Sequence, residues 1–251
     1  MSDLLRLDGK TALITGASGG LGSHFAHTLA AAGATVVVAA RRLDRLEALV
    51  GEIENAGGRA CAVALDVTDA ESIAKAFDQA GQIDILVNNS GVAIGQAAVE
   101  ISEDDWDKLL DTNLKGAWLM SQEFARRAMD AGSGGAIINI ASILGRRVAP
   151  GVAPYAASKA ALEHLTRALA LEWARYGIRV NAMAPGFFET DLNRDFLYSE
   201  RGQQMIKRIP QRRPGSPKEL DGALLLLASD AASYMTGSTV VIDGGHLCSM
   251  L

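Results

Sequence analysis

Short apolar runs alternate with longer amphipathic stretches along almost the whole chain. Thr11-Ala12-Leu13-Ile14 predicts a first strand, and Leu21 to Ala32 a helix that Gly33 ends. Thr35 to Ala39 predicts a second strand, Leu43 to Ala56 an amphipathic helix closed by Gly57-Gly58, and Ala60 to Leu65 a third strand. A helix over Ala70 to Ala80 and a fourth strand over Ile83 to Val87 follow. Ser102-Glu103-Asp104-Asp105 is a capping sequence that opens one long helix to Ala131. Ala136 to Ile140, Arg179 to Met183 and Thr239 to Ile242 predict three more strands. The helices between them run over Tyr155 to Tyr176 and Pro217 to Ala228. Continuous apolar strands suit a parallel sheet covered on both faces, and the alternation implies right-handed crossovers. The expectation is an α/β protein with a single Rossmann-type domain over residues 1–251, a doubly wound parallel sheet of about seven strands. Pro185 to Pro217 breaks the pattern, and an interruption of that length marks a functional loop or helical lid, placed here at about 187–215.

Composition narrows the class. The chain has 251 residues, 49% of them hydrophobic and 21% charged, which is enough for one sizeable core and argues against general disorder. A net charge of −5 argues against nucleic-acid binding. No apolar stretch approaches the ~20 residues that span a bilayer, and Met1 to Asp8 lacks a signal-peptide core, so a cytoplasmic enzyme without membrane attachment is expected. The two cysteines, Cys61 and Cys248, do not form a metal-ligand pattern, and Cys61 reads as a small buried hydrophobe in its apolar run.

Thr15-Gly16-Ala17-Ser18-Gly19-Gly20-Leu21-Gly22 joins the first strand to its helix. Glycines there let backbone approach a pyrophosphate, and the helix N-terminus supplies free N–H groups and partial positive charge. The spacing is Gly-x-x-x-Gly-x-Gly, neither the common Gly-x-Gly-x-x-Gly fingerprint nor a P-loop. At the end of the second strand a carboxylate would select NAD through its ribose 2′-hydroxyl. Ala40-Arg41-Arg42 stands there instead, and guanidiniums bind a 2′-phosphate, which favours NADP(H) over NAD(H).

Tyr155 and Lys159 share one helix face at i,i+4. A nearby ammonium lowers a phenol pKa toward the range useful for proton transfer. Ser142 follows the fifth strand, Asn113 sits awkwardly inside the long predicted helix, and Asn88-Asn89-Ser90-Gly91 ends the fourth strand. Local departures of this kind gather at functional sites.

Together these residues resemble the short-chain dehydrogenase/reductase family over nearly the whole chain, with a likeness to its 3-oxoacyl-carrier-protein reductases. The matching positions are Thr15-Gly16-x-x-x-Gly20-x-Gly22, Asp66-Val67, Asn88-Asn89-Ser90-Gly91, Asn113, Ser142, Tyr155-x-x-x-Lys159 and Pro185-Gly186; the family's usual alanine is Ser90 here. The resemblance implies that Tyr155 exchanges a proton with the substrate oxygen. Lys159 then binds the nicotinamide ribose, Ser142 polarises the carbonyl and Asn113 holds a water linking Lys159 to solvent. It places Asp66 and Val67 against the adenine, Asn89 near the adenosine ribose or the strand backbone, and Thr190 at the carboxamide. Gly16, Ser18, Gly20, Leu21, Gly22, Arg41, Arg42, Gly91, Pro185 and Gly186 complete the implied cofactor set. A homotetramer, with the tail after Asp243-Gly244-Gly245 at a subunit interface, is implied as well.

The partner expected from this is a small carbonyl or alcohol substrate. Val92, Ile94, Ile143, Leu144, Val148, Phe187, Phe188 and the loop to Phe196 are candidate pocket residues, and Arg146-Arg147 a candidate receptor for the anionic tail of a carrier-linked substrate. The competing readings are an NADP(H) sensor without turnover, an NAD-dependent sugar or alcohol dehydrogenase, and a lyase or isomerase. The last kind usually carries a larger substrate domain than this chain has, and intact Asn113, Ser142, Tyr155 and Lys159 count against the sensor.

Overall fold

The computed structural model describes residues 3–190 and 194–249. Its centre is one seven-stranded sheet in the order β3-β2-β1-β4-β5-β6-β7. The strands are β1 Thr11–Thr15, β2 Thr35–Ala40, β3 Arg59–Ala64, β4 Ile85–Asn88, β5 Gly135–Ile140, β6 Ile178–Pro185 and β7 Thr239–Ile242. Every pairing is parallel, with Leu13 opposite Val37 and Leu86. The helices are α1 Gly20–Ala31, α2 Leu43–Asn55, α3 Ala70–Ala80, α4 Glu103–Leu110, α5 Gly116–Ala131, α6 Ala153–Trp173, α7 Arg194–Tyr198, α8 Glu200–Ile206 and α9 Asp221–Ala228.

Side chains of a strand alternate between faces, so each strand feeds two cores. Ala12, Ile14, Val36 and Val38 pack with Phe25, Leu29, Leu46 and Leu224, under α1, α2 and α9. Leu13, Val37 and Leu86 pack with Phe77, Phe124 and Leu169, under α3, α5 and α6. Burial on both faces accounts for the continuous apolar runs of the central strands. At the edge this fails: β3 has a single neighbouring strand, and Cys61 is exposed rather than buried.

Strand order reverses between β1 and β4. The chain leaves β1 toward β2 and β3, then crosses back to β4, and a crevice opens beyond the carboxyl ends of these strands. Gly16 and Asn89 stand at its two lips.

Three predicted elements differ in detail. The long helix expected over Ser102 to Ala131 is two helices joined by a π-helical turn, Asp111–Lys115. Pro217–Leu220 is a 3₁₀ turn before α9, where the Ser216 N–H donates to Glu219 Oε2 at 2.8 Å. The interrupted stretch after β6 holds the short helices α7 and α8. No helix among the described residues is long and apolar enough to cross a membrane.

Candidate active site

The glycine turn is held from β4. Thr15 Oγ1 accepts hydrogen bonds from the N–H groups of Asn89 and Ser90, each at 3.0 Å. Asn89 Nδ2 donates to the carbonyls of Thr15 (3.0 Å) and Gly16 (3.3 Å). The Asn89 side chain therefore holds the backbone of β1 and of the turn rather than that of β4. Gly16 and Gly20 adopt φ of +66° and +57°, which glycine takes without strain. Gly22 leaves no room for a side chain: a Cβ there would lie 2.4 Å from the Gly16 carbonyl oxygen and 2.6 Å from Asn89 Nδ2. Gly19 gives α1 no side-chain cap, so its first N–H groups stay open to an anion. A turn of this shape, bordered by Ser18 and Leu21, can hold a pyrophosphate.

Arg42 Nη2 donates to Ser18 Oγ at 3.0 Å, across the mouth of the turn. Asp66 accepts from the N–H and hydroxyl of Thr68, and these bonds, with Arg41 nearby, hold its carboxyl below the usual range. Arg41, Arg42 and Asp66 thus share the rim beyond β2 and β3. Val67 is buried against Gly116, where a Cβ would come within 2.8 Å of its side chain.

Lys159 and Tyr155 lie one turn apart on α6. The Lys159 side chain is buried, and its Nζ donates to the Ile140 carbonyl at 2.8 Å and sits 5.6 Å from the centre of the Tyr155 ring. Burial pulls the Lys159 pKa down to about 8. Burial raises the Tyr155 pKa, and the hydrogen bond with Ser142 lowers it in part. The phenol is thus kept protonated, a state suited to donating to a carbonyl oxygen, whereas the Tyr–Lys spacing alone predicts a lowered value.

Ser142 is buried at the end of β5, where its Oγ also accepts from the Leu144 N–H at 3.2 Å. The segment after it presses onto α6 at Gly145, whose Cβ would lie 2.8 Å from Ala160 N. Gly145 therefore allows Ser142 to reach Tyr155. Asn113 lies in the π turn, where the extra residue swings its amide inward. Its Oδ1 accepts from Val92 N (2.8 Å), and its Nδ2 donates to Val92 O (2.9 Å) and Ser158 Oγ (3.3 Å). Gly91 lies between Asn113 and Lys159: its Cβ position is 3.4 Å from Asn113 Oδ1 and 3.6 Å from Lys159 Nζ.

Below the site, Asn88 of the Asn88-Asn89-Ser90-Gly91 motif belongs to a buried polar ladder whose other members, Ser121, Asn139 and Thr166, no motif marks. Asn88 Nδ2 donates to Ser121 Oγ and Asn139 Oδ1, both at 2.9 Å, and Asn139 Nδ2 donates to Thr166 Oγ1 at 2.9 Å. Asparagine inside the apolar run Ile137-Ile138-Asn139-Ile140 was the available signal. The ladder fixes β4 and β5 to α5 and α6, which carry the site.

On the substrate side, Pro185 and Gly186 end β6 against the tail, where a Gly186 Cβ would come within 2.8 Å of Asp243. Thr190, with Gly19 and Gly20, lines a cleft of about 650 Å³. Val92, Ile94, Leu144 and Phe187 are half-buried; Ile143 and Phe188 are buried and pack the surrounding loops, and Val148 faces solvent. The side chain of Phe196 lies outside the described residues. Arg146 and Arg147 are already engaged: Arg146 pairs with Glu163 at 2.8 Å, and Arg147 Nη1 donates to the His246 carbonyl (2.6 Å) and Ser249 Oγ (2.8 Å). They anchor structure and do not stand open for a carrier's anionic tail.

Comparison with known proteins agrees with this fold. A family profile described as Enoyl-(Acyl carrier protein) reductase matches residues 16–246. Gluconate 5-dehydrogenase of Gluconobacter oxydans is 37% identical over 99% of this chain and 98% of its own length. The 3-oxoacyl-[acyl-carrier-protein] reductase FabG of Thermotoga maritima is 39% identical over 96% of this chain and 99% of its own. The crystal structure of a gluconate 5-dehydrogenase from Burkholderia cenocepacia, in complex with NADP and tartrate, superposes with a TM-score of 0.94 at 38% identity, covering 99% of both chains.

Proposed function

Because this chain belongs to the short-chain dehydrogenase/reductase family, we propose that it interconverts a ketone and a secondary alcohol with NADP(H), Tyr155 moving the proton. One observation carries this: Ser142, Tyr155, Lys159, Asn113 and Gly91 converge beside a glycine turn that is closed to a side chain at Gly22. Bound NADP(H) would supply or accept the hydride. The residues that would hold it are Gly16, Ser18, Gly20, Leu21 and Gly22 at the pyrophosphate, and Arg41 and Arg42 at a 2′-phosphate. Asp66, Val67, Asn89 and Gly91 would face the adenosine side, and Tyr155, Lys159, Pro185, Gly186 and Thr190 the nicotinamide side.

In reduction, Tyr155 gives its hydroxyl proton to the developing alkoxide, and Ser142 donates a hydrogen bond to the same oxygen. The Lys159 ammonium stabilises the phenolate that remains. Asn113 ties the Val92 backbone to the Ser158 hydroxyl, one residue before Lys159. Residues 187–215 are the lid over the substrate, and the chain works in the cytoplasm as a homotetramer.

Two measurements test this reading. A panel of ketones and alcohols followed at 340 nm should show turnover with NADPH or NADP; no turnover with any of them, in either cofactor, would refute it. Arg41→Asp should shift the NADP:NAD ratio of kcat/KM toward NAD by about tenfold or more, the worth of one charge-assisted phosphate contact. An unchanged ratio would take Arg41 out of the site.

A further inference from the structure

The segment that carries Ser142 is gripped by α6 at three successive levels. Lys159 Nζ bonds the Ile140 carbonyl, two residues before Ser142. Gly145 ends the 3₁₀ turn Ile143–Gly145 and leaves no gap to the α6 backbone, its Cβ position lying 2.8 Å from both Lys159 C and Ala160 N. Arg146 Nε then donates to Glu163 Oε2 at 2.8 Å. Tyr155, Lys159 and Glu163 fall at i, i+4 and i+8, so they line one face of α6. The face that carries the proton-transfer pair therefore also carries a carboxylate, and that carboxylate holds the loop of Ser142.

Glu163 is 5% exposed, and its Oε1 is buried without a hydrogen-bond partner. A buried charge with one oxygen unpartnered is a costly way to join a loop to a helix, and apolar side chains of similar volume would join them at least as well. What the pair adds is a fixed geometry. Water cannot reach the carboxylate to replace Arg146, so the arginine and its turn are held at one distance from α6. That turn starts at Ser142: its Oγ accepts from Leu144 N, its carbonyl accepts from Gly145 N at 3.0 Å, and Arg146 N donates to Ile143 O at 3.0 Å. A shift at Arg146 is thereby carried back to the Ser142 hydroxyl. Arg147 leaves the turn on its other side, toward the 246–249 tail.

We propose that the Arg146–Glu163 pair is a positioning device that sets the separation of the Ser142 hydroxyl from Tyr155, and so the geometry in which both meet the substrate oxygen. This rests on the oxidoreductase reading above. Arg146 and Glu163 act through Ser142 and touch no reacting atom.

Glu163→Gln keeps the shape and removes the charge. With the fastest ketone of the 340 nm panel, its kcat should fall about tenfold or more, since a misplacement of about 1 Å can cost about 10²-fold. Its dissociation constant for NADPH should stay within about twofold of wild type. In a Ser142→Ala background the same substitution should cost less than about twofold further, because the group it positions is gone. The acid limb of kcat/KM for alcohol oxidation should move to higher pH, because the Ser142 hydrogen bond favours the Tyr155 phenolate. Loss of the Glu163 charge by itself leaves Arg146 uncompensated and would move that limb lower. The double variant Arg146→Met/Glu163→Leu replaces the pair with apolar contacts. It should unfold in urea at or above the wild-type midpoint with the same tenfold loss of kcat, and it decides the question if Glu163→Gln fails to fold. Unchanged kcat, a full further loss in the Ser142→Ala background, a limb that stays or moves lower, or NADPH binding lost in parallel would overturn the proposal. Such results with an active wild type remove the positioning role alone. Absence of wild-type turnover across the panel removes the oxidoreductase reading and this proposal together.

Discussion

Tyr155→Phe should lower kcat for ketone reduction by about 10³-fold or more while the affinity for NADPH stays nearly unchanged. The substitution removes one oxygen and keeps the ring, so packing at the start of α6 is preserved. What disappears is the proton donor. A positioned general acid contributes about 10²–10⁴-fold, and burial places this phenol where water substitutes poorly for it. Ser142 cannot take over, because an alcohol gives up its proton far less readily than a phenol, and its hydroxyl serves as a hydrogen-bond donor that keeps its own proton. Steady-state rates at 340 nm and quenching of protein fluorescence by NADPH measure the two halves separately. Turnover retained at the wild-type rate would remove Tyr155 from the mechanism. Equal loss of turnover and NADPH binding would make it a structural residue.

The parts of this site that local chemistry dictates were readable in the chain. Tyr155 and Lys159 share a face because helical geometry forces i and i+4 together. The strand-to-helix glycine turn follows from where open N–H groups and a close approach are needed. The β-strands were legible because burial on both faces leaves continuous apolar runs, and β3 shows the limit: its sequence reads as buried, but its place at the sheet edge exposes Cys61. That place depends on topology, which no single run encodes. Asn113 drew notice as an asparagine inside a helix, yet the π turn that aims it was not visible, since one extra residue leaves the hydrophobic period almost intact. Arg146 and Arg147 misled for the opposite reason. Their partners, Glu163 and the 246–249 tail, are distant in sequence, so a pair of committed cations looked like a free patch.

Lys159→Met should make the protein more stable and nearly inactive. The ammonium is fully buried, and burial alone lowers its pKa from 10.5 to about 8. The folded state therefore holds this proton less tightly than the unfolded chain does. Below pH 8 both states are protonated, and the folded state bears the cost of the buried charge, on the order of 3 kcal/mol at 1.36 kcal/mol per pKa unit. Between pH 8 and 10.5 the unfolded chain binds more proton, so this contribution makes stability rise with pH across that window. Methionine fills a similar volume without the charge. It leaves the Ile140 carbonyl without its donor, a loss of about 1 kcal/mol. The net gain expected at pH 7 is about 1–2 kcal/mol, a rise in Tm of a few degrees for a chain of this size. The wild-type minus variant difference should then shrink toward zero and change sign as pH climbs through the window. Over the same change, ketone reduction should fall by about 10²–10³-fold, because nothing remains to stabilise the Tyr155 phenolate. Urea unfolding at pH 7 and pH 9.5, set beside the rates at 340 nm, reads both effects. A variant less stable than wild type at pH 7 would show that Lys159 is held by interactions stronger than its burial cost. A more stable variant with full activity would show that the charge has no part in the proton transfer. The expected pairing, gained stability with lost turnover, is the signature of a cation retained in the core for chemistry, at the expense of the fold.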